Sequence, residues 1–301
     1  MDRYGPFSEA VESVLAQTHD DLEVVLVVDG NHEVFERVRE DFGSRDEVVL
    51  HCNDENQGIS YSRTKGAELA SGDVVAFIDD DATAEADWVA KLVEVYEETD
   101  AIAVGGDVVP DWQVEKPDFF PAEFYWLVGC VEPGFAEDGE EVRNTYGSNI
   151  SYRREQFLEV GGYDPNTGRK GDKHLQAHEA PVGIRLREEY GRGMVFTRDA
   201  RVHHKLFDYR GEFGWLVFRS FWQGYSKRVM DLLYPNAEDN KSSYLKQLLT
   251  RFVPKRVKNL VRSPSSGRLQ QLVAIFVFTA AVGLGYVYAM ATPELVEKAN
   301  S

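Results

Sequence analysis

Apolar positions follow two alternating rhythms through the first third of the chain. Phe7, Val11, Val14 and Leu15 recur at helical spacing. LEVVLVVDG, Leu22 to Gly30, is instead a nearly unbroken run rich in β-branched residues that closes on Asp-Gly, the pattern of a strand buried on both faces. The rhythm then repeats, with a helix from about Glu33 to Phe42, the strand Val48 to Cys52, a helix from about Ile59 to Leu69 and the strand Asp73 to Asp79. This βαβ alternation predicts a mostly parallel sheet with helices on both faces. Ligands of such sheets bind beyond the carboxyl ends of the strands.

The pattern changes at the other end of the chain. QLVAIFVFTAAVGLGYVYAMA, Gln271 to Ala291, carries no charge and matches one membrane-spanning helix in length. Basic residues crowd its N-terminal side, among them Arg251, Lys255, Arg256, Lys258, Arg262 and Arg268. The positive-inside bias therefore places the large N-terminal part in the cytoplasm and the short tail outside. Tyr244 to Arg262 mixes apolar and basic positions around Pro254 and reads as an interfacial segment against anionic lipid. The first ten residues contain no apolar core of a secretory signal.

Charge sharpens this division. The 301 residues carry 51 acidic and 33 basic side chains, a formal −18. That balance argues against nucleic-acid binding through phosphates and suits a very salty cytoplasm. Residues 205–268 alone are formally +8, so an acidic body meets a basic neck. Two isolated cysteines, Cys52 and Cys130, supply neither a disulfide framework nor a zinc site.

Candidate chemistry sits at FIDDDA, Phe77 to Ala82, where three adjacent carboxylates follow an apolar strand. Asp29 also lies just past a strand end, so it should line the same crevice as Asp79, Asp80 and Asp81. Carboxylates crowded there call for a cation, and hard oxygen donors suit Mg²⁺ or Mn²⁺, which in turn bind diphosphate.

Several motifs in order carry a more specific signal. NQGISYSRTKGAELASGDVVAFIDDDA, Asn56 to Ala82, resembles the nucleotide-binding signature of family two glycosyltransferases with the GT-A fold. AVESVLAQTHDDLEVVLVVDG upstream and YGSNISYRREQFLEVGGYDP downstream resemble further parts of that family, over roughly Gly5 to Lys205. The resemblance implies an α/β GT-A domain and transfer of sugar from a nucleotide-sugar. It implies that Asp29 contacts base or ribose, that Asp79 lies near the ribose with Asp80 among the nucleotide-sugar contacts, and that Asp81 holds the divalent ion. Arg63 would pair with the diphosphate. At Thr64 the family often has Asn.

HEAPVGIRL, His178 to Leu186, falls where the family has a paired acidic motif, with His178 in the first position and Glu179 in the second. Glu179 is the expected base of an inverting transfer, with Asp172 and Glu188 as weaker alternatives. His204 in ARVHHKLF matches an element near the diphosphate and could ligate the metal. The segment Asp111 to Gly129, rich in aromatics, is expected either to form an acceptor lip or to pack a core. Asn149-Ile150-Ser151 is formally a glycosylation sequon, with a structural role expected for it.

Relative to the family, the chain opens at the turn before the first helix, so the first strand is expected to be missing and the true start to lie upstream. The expected organisation is a nucleotide-sugar half at 1–105, an acceptor half at 106–210, basic interfacial helices at 211–268, a membrane helix at 269–291 and an outer tail at 292–301. With the acidic composition, the chain is similar to haloarchaeal enzymes that extend dolichol-phosphate-linked glycans for N-glycosylation of surface-layer proteins. That implies a UDP-linked hexose or hexuronic acid as donor and a lipid-linked glycan as acceptor. A polyprenyl-phosphate sugar synthase and a silent membrane scaffold with the same fold are the competing readings.

Overall fold

The computed structural model describes residues 4–165, 179–235 and 241–292. They fall into two compact units, one of residues up to 109 with 136–205, the other of 110–135 with 206 onward. The first unit thus takes in most of both expected halves.

In the first unit the predicted alternation is present element by element. Helix α1 spans Tyr4–Leu15, strand β1 Val24–Asp29, helix α2 His32–Phe42 and strand β2 Val48–Asn53. Asn31 caps α2 by accepting from the Val34 amide, which satisfies a donor with no intrahelical partner. Helix α3 covers Ile59–Leu69, β3 Val74–Phe77, β4 Ala82–Ala84, α4 Trp88–Glu98 and β5 Ala103–Trp112. Then come β6 (Glu141–Val142), β7 (Ile150–Arg153), α5 (Arg154–Glu159), α6 (Glu179–Tyr190) and β8 (Met194–Leu206).

Parallel pairing joins β1 to β2 in register from Val24 opposite Val48 to Asp29 opposite Asn53. The second sheet runs β3-β7-β5-β8-β4, with β6 on β8. Within it β3 and β5 both pair antiparallel with β7, and β4 pairs antiparallel with β8. The architecture is therefore mixed α/β. Among the described residues no ladder joins β1 or β2 to β3.

Trp88, Leu92 and Tyr96 on one face of α4 pack with Val24, Val104 and Val202 into the main core. Burial contributes roughly 1.5–3 kcal/mol for each large apolar side chain. Asn149 of the sequon is wholly buried, donating to the carbonyls of Asp107 and Ala200 at 2.9 Å and accepting from Trp88 Nε1 at 2.8 Å. Its amide is a structural tie.

The second unit holds a short 3₁₀ segment, Ala122–Val128, and helices α7 (Phe213–Leu233), α8 (Lys241–Gln247), α9 (Val253–Arg262) and α10 (Ser266–Ala291). A π-helical turn at Leu248–Phe252 links α8 to α9. The aromatic segment packs as core here: Phe120 and Phe124 are buried, with ring centroids 6.3 and 5.4 Å from that of Phe278. Gly224 of α7 and Gly285 of α10 each sit against the other helix's backbone, where a Cβ would overlap a carbonyl oxygen. These glycines let the two backbones approach closely. Near the far end of α10, Tyr286 donates to Asp231 of α7 at 2.8 Å. The opposite face of α10 exposes Leu269, Val273, Phe276, Leu284, Val287 and Met290.

Candidate active site

Like charges can share the FIDDDA turn because two cationic or polarisable partners meet it. After β3 the chain turns at Asp79–Asp81, fixed by the Ala82 amide donating to Asp79 O at 3.1 Å and the Lys205 amide donating to Asp81 O at 2.8 Å. The register of β4 on β8 sets Ala82 opposite His204 and Thr83 opposite His203. Strand alternation sends the two histidines to opposite faces. His204 Nε2 lies 3.1 Å from Asp81 Oδ1 and is buried, whereas His203 Nε2 meets Glu85 at 3.0 Å.

Asp79, Asp81 and His204 thereby offer three ligand atoms within 4.8 Å of one another. Two carboxylate oxygens and an imidazole nitrogen suit a divalent ion such as Mn²⁺ or Mg²⁺. Asp80, between the two carboxylates, is exposed and outside this trio.

Arg63 answers the other carboxylate. Its Nη2 sits 2.5 Å from Asp79 Oδ1 and donates to the Gly147 carbonyl at 3.0 Å. Burial works against the charged guanidinium, but Asp79 first, then Tyr163 and Glu179, hold its pKa above the ordinary arginine value. The rings of Phe77 and Tyr163 lie 5.9 and 5.6 Å from its carbon centre. Arg63, expected to pair with the diphosphate, bridges Asp79 and the loop before β7 in the folded chain.

That loop brings in Glu179, the first residue of α6, whose Oε1 accepts from the Gly147 amide at 3.2 Å. A carboxylate at a helix N-terminus is also favoured by the macrodipole. Gly147 is the pivot, for a Cβ there would stand 2.5 Å from both Arg63 Nη1 and Glu179 Oε1. Gly147→Ala is expected to push the two apart and lower turnover by about tenfold, on the order of 1.4 kcal/mol of transition-state stabilisation. A circular-dichroism melt close to that of the parent, alongside the slower rate, would confirm a local effect.

Asp29 builds the neighbouring wall. Its Oδ1 accepts from Asn53 Nδ2 and the Gln57 amide, and its Oδ2 from the Gly58 amide, all at 2.8 Å. Burial opposes ionisation, yet these hydrogen bonds outweigh it and lower the carboxyl pKa. Asp29 therefore shapes the loop leading into α3. Gly58, at φ +90°, makes the turn into that helix, and Gly30, at φ +71°, lies against the backbone of Glu55 and Asn56. Ser62 accepts from Asn53 at 3.0 Å while Arg63 reaches Asp79, so successive residues of α3 serve both strand ends.

His178 and Asp172 lie outside the described residues, and Glu188 is exposed on α6. Gly147, Tyr163 and Asn53 are not picked out by the sequence, where they are a glycine inside YGSN, a tyrosine inside GGYD and an asparagine closing an apolar run, none of which names its partner.

The family model for glycosyl transferase family 2 matches residues 3–161, just over half of the chain. The chain belongs to that family. A Haloferax volcanii family relative, glucosyl-dolichyl phosphate glucuronosyltransferase, is 70% identical over 302 aligned residues, covering 100% of this chain and 96% of the relative. Succinoglycan biosynthesis protein ExoM of Rhizobium meliloti is 28% identical, covering 60% and 54% of the two chains. Among solved structures, mannosyltransferase PcManGT from Pyrobaculum calidifontis, in complex with GDP-Man and Mn²⁺, superposes with a TM-score of 0.56 at 14% identity, covering 94% and 84%. GalNAc-T7 with UDP, GalNAc and Mn²⁺ gives 0.51 at 17% identity, covering 79% and 50%. The family 2 fold here is GT-A, as the sequence implied.

Proposed function

We propose that this family 2 protein transfers a sugar, a hexose or hexuronic acid, from a UDP-linked donor to a dolichyl-phosphate-linked glycan with inversion. The observation that carries the chemistry is the trio Asp79, Asp81 and His204 set beside the Arg63–Gly147–Glu179 network. The 70% identity to a glucosyl-dolichyl phosphate glucuronosyltransferase supports glucuronic acid as donor sugar and glucosyl-dolichyl phosphate as acceptor.

Asp81, His204 and Asp79 would hold Mn²⁺ or Mg²⁺, which when bound offsets the charge of the departing diphosphate. Asp29 and the loop it organises frame the nucleotide, with Asp79 and Asp80 toward the ribose. Glu179 takes the proton of the acceptor hydroxyl as its oxygen attacks the anomeric carbon. The new C–O bond forms as the bond to phosphate breaks, the electron pair leaves with the diphosphate, and a single displacement inverts the centre. Arg63, held by Asp79 and the Gly147 carbonyl, would pair with the diphosphate.

The test supplies UDP-glucuronic acid or UDP-hexoses to the purified full chain with glucosyl-dolichyl phosphate or bare dolichyl phosphate, and reads products by mass spectrometry. Sugar added to the glucosylated lipid is expected; transfer to bare lipid phosphate alone would establish a polyprenyl-phosphate sugar synthase instead.

Helix α10, 26 residues with mean hydropathy 2.1 over its most apolar window, serves in this reading as a single-pass anchor, with the catalytic unit cytoplasmic. A Thr292→Cys variant should react with an impermeant maleimide on intact cells, where the parent does not. Labelling only from the cytoplasmic side would place α10 within the interface without crossing.

A further inference from the structure

Between residues 241 and 268 the chain carries eight Lys and Arg and no Asp or Glu, against a whole-chain charge of −18. Folding gives this stretch an orientation that the sequence alone does not. Arg256 of α9 is drawn inward, with Nη2 2.6 Å from Glu123 Oε2 and Nε 2.9 Å from Glu123 Oε1, while Gln271 of α10 also accepts from it. Glu123 is itself buried, and Tyr244 donates to its carbonyl at 2.7 Å. This two-pronged pair latches one face of α9 to the protein.

What the latch leaves outside is chemically sorted. Val257 and Val261, one turn apart, are 42% and 75% exposed, and α9 buries no residue of its own. Lys258 and Arg262, also one turn apart, form the next stripe around the helix, with Lys255 beside them. Leu245 and Leu249 are exposed just upstream, and seven residues after α9 ends at Arg262 the apolar stripe of α10 begins at Leu269. A helix with exposed valines flanked by cations, at the point where an anchor starts, fits the boundary between acyl chains and anionic headgroups.

We infer that α9 is an in-plane membrane helix, latched by Arg256 to Glu123, that buries Val257 and Val261 in the cytoplasmic leaflet and sets Lys255, Lys258 and Arg262 on anionic lipid phosphates. This rests on the reading of α10 as the membrane anchor. In molar salt the screening length falls to about 3 Å, so the cations act only where they touch phosphate and the valines dominate.

The test places an environment-sensitive fluorophore at Val261→Cys or at Asn259→Cys, on the opposite side of the helix, in a full chain carrying Cys52→Ser. The protein is reconstituted in phosphatidylcholine vesicles with or without phosphatidylglycerol. The probe at 261 should shift to the blue and be quenched by headgroup-proximal spin-labelled lipid, and the probe at 259 should not. Phosphatidylglycerol should deepen the shift at low salt, and K255E/K258E/R262E should abolish that gain. A water-like signal at 261 in both lipids would overturn the inference, as would disulfide dimers through Val261→Cys, which would assign the stripe to a second copy. Carbonate extraction of the same vesicles reports on α10 separately, so loss of the anchor and loss of the α9 contact are told apart.

Discussion

Glu179→Gln should lower kcat by about 10²–10⁴ while leaving the affinity for UDP unchanged, because an amide cannot accept the acceptor's proton but still fills the same space. The amide oxygen can continue to accept from the Gly147 amide, which Glu179 Oε1 meets at 3.2 Å, so the loop before β7 should keep its place. Stopped-time transfer assays with saturating donor, paired with UDP titrations, separate the two quantities. A fall of less than about tenfold in kcat would remove Glu179 from the role of base.

Arg63→Met should give the largest loss of stability. The guanidinium is buried against Asp79 and the Gly147 carbonyl, and removing it leaves a partly buried carboxylate without its cation. Breaking such a pair costs about 3–5 kcal/mol, and the partial exposure of Asp79 puts this case at the lower end. Around 3 kcal/mol corresponds to a drop of roughly 6–12 °C in Tm for a unit of this size. Adding Asp79→Asn should recover part of the melting temperature without restoring transfer, since the orphaned charge is gone but the ligand trio is incomplete. Full recovery of activity in the double variant would mean that Arg63 and Asp79 serve the fold alone.

The contrast between legible and hidden features follows sequence distance. Runs such as Val24–Asp29 and Val48–Asn53 announce buried strands locally, and their parallel register follows from the helix between them. The partner of β3 was not visible, because β7 lies more than seventy residues on and pairs antiparallel. Asp79 and Asp81 were legible as adjacent carboxylates behind an apolar strand, and His204 came from the family resemblance. Only the β4–β8 register shows how His204 comes to meet Asp81. Arg63 was legible from the family resemblance, but its bond to the Gly147 carbonyl crosses 84 residues and no local pattern encodes it. The segment 111–129 could be a lip or a core by composition; its burial around Phe278 decides for core packing.

In the proposed function, FIDDDA ends its strand in carboxylates that hold a cation and, through it, a nucleotide diphosphate. Calorimetric titration of UDP into the full chain in detergent and high KCl, with Mn²⁺ and again with EDTA, for the parent and for Asp81→Ala, tests this most directly. Binding should require the metal and be lost in the variant. Equal UDP affinity with EDTA, or in Asp81→Ala with Mn²⁺ present, would contradict it.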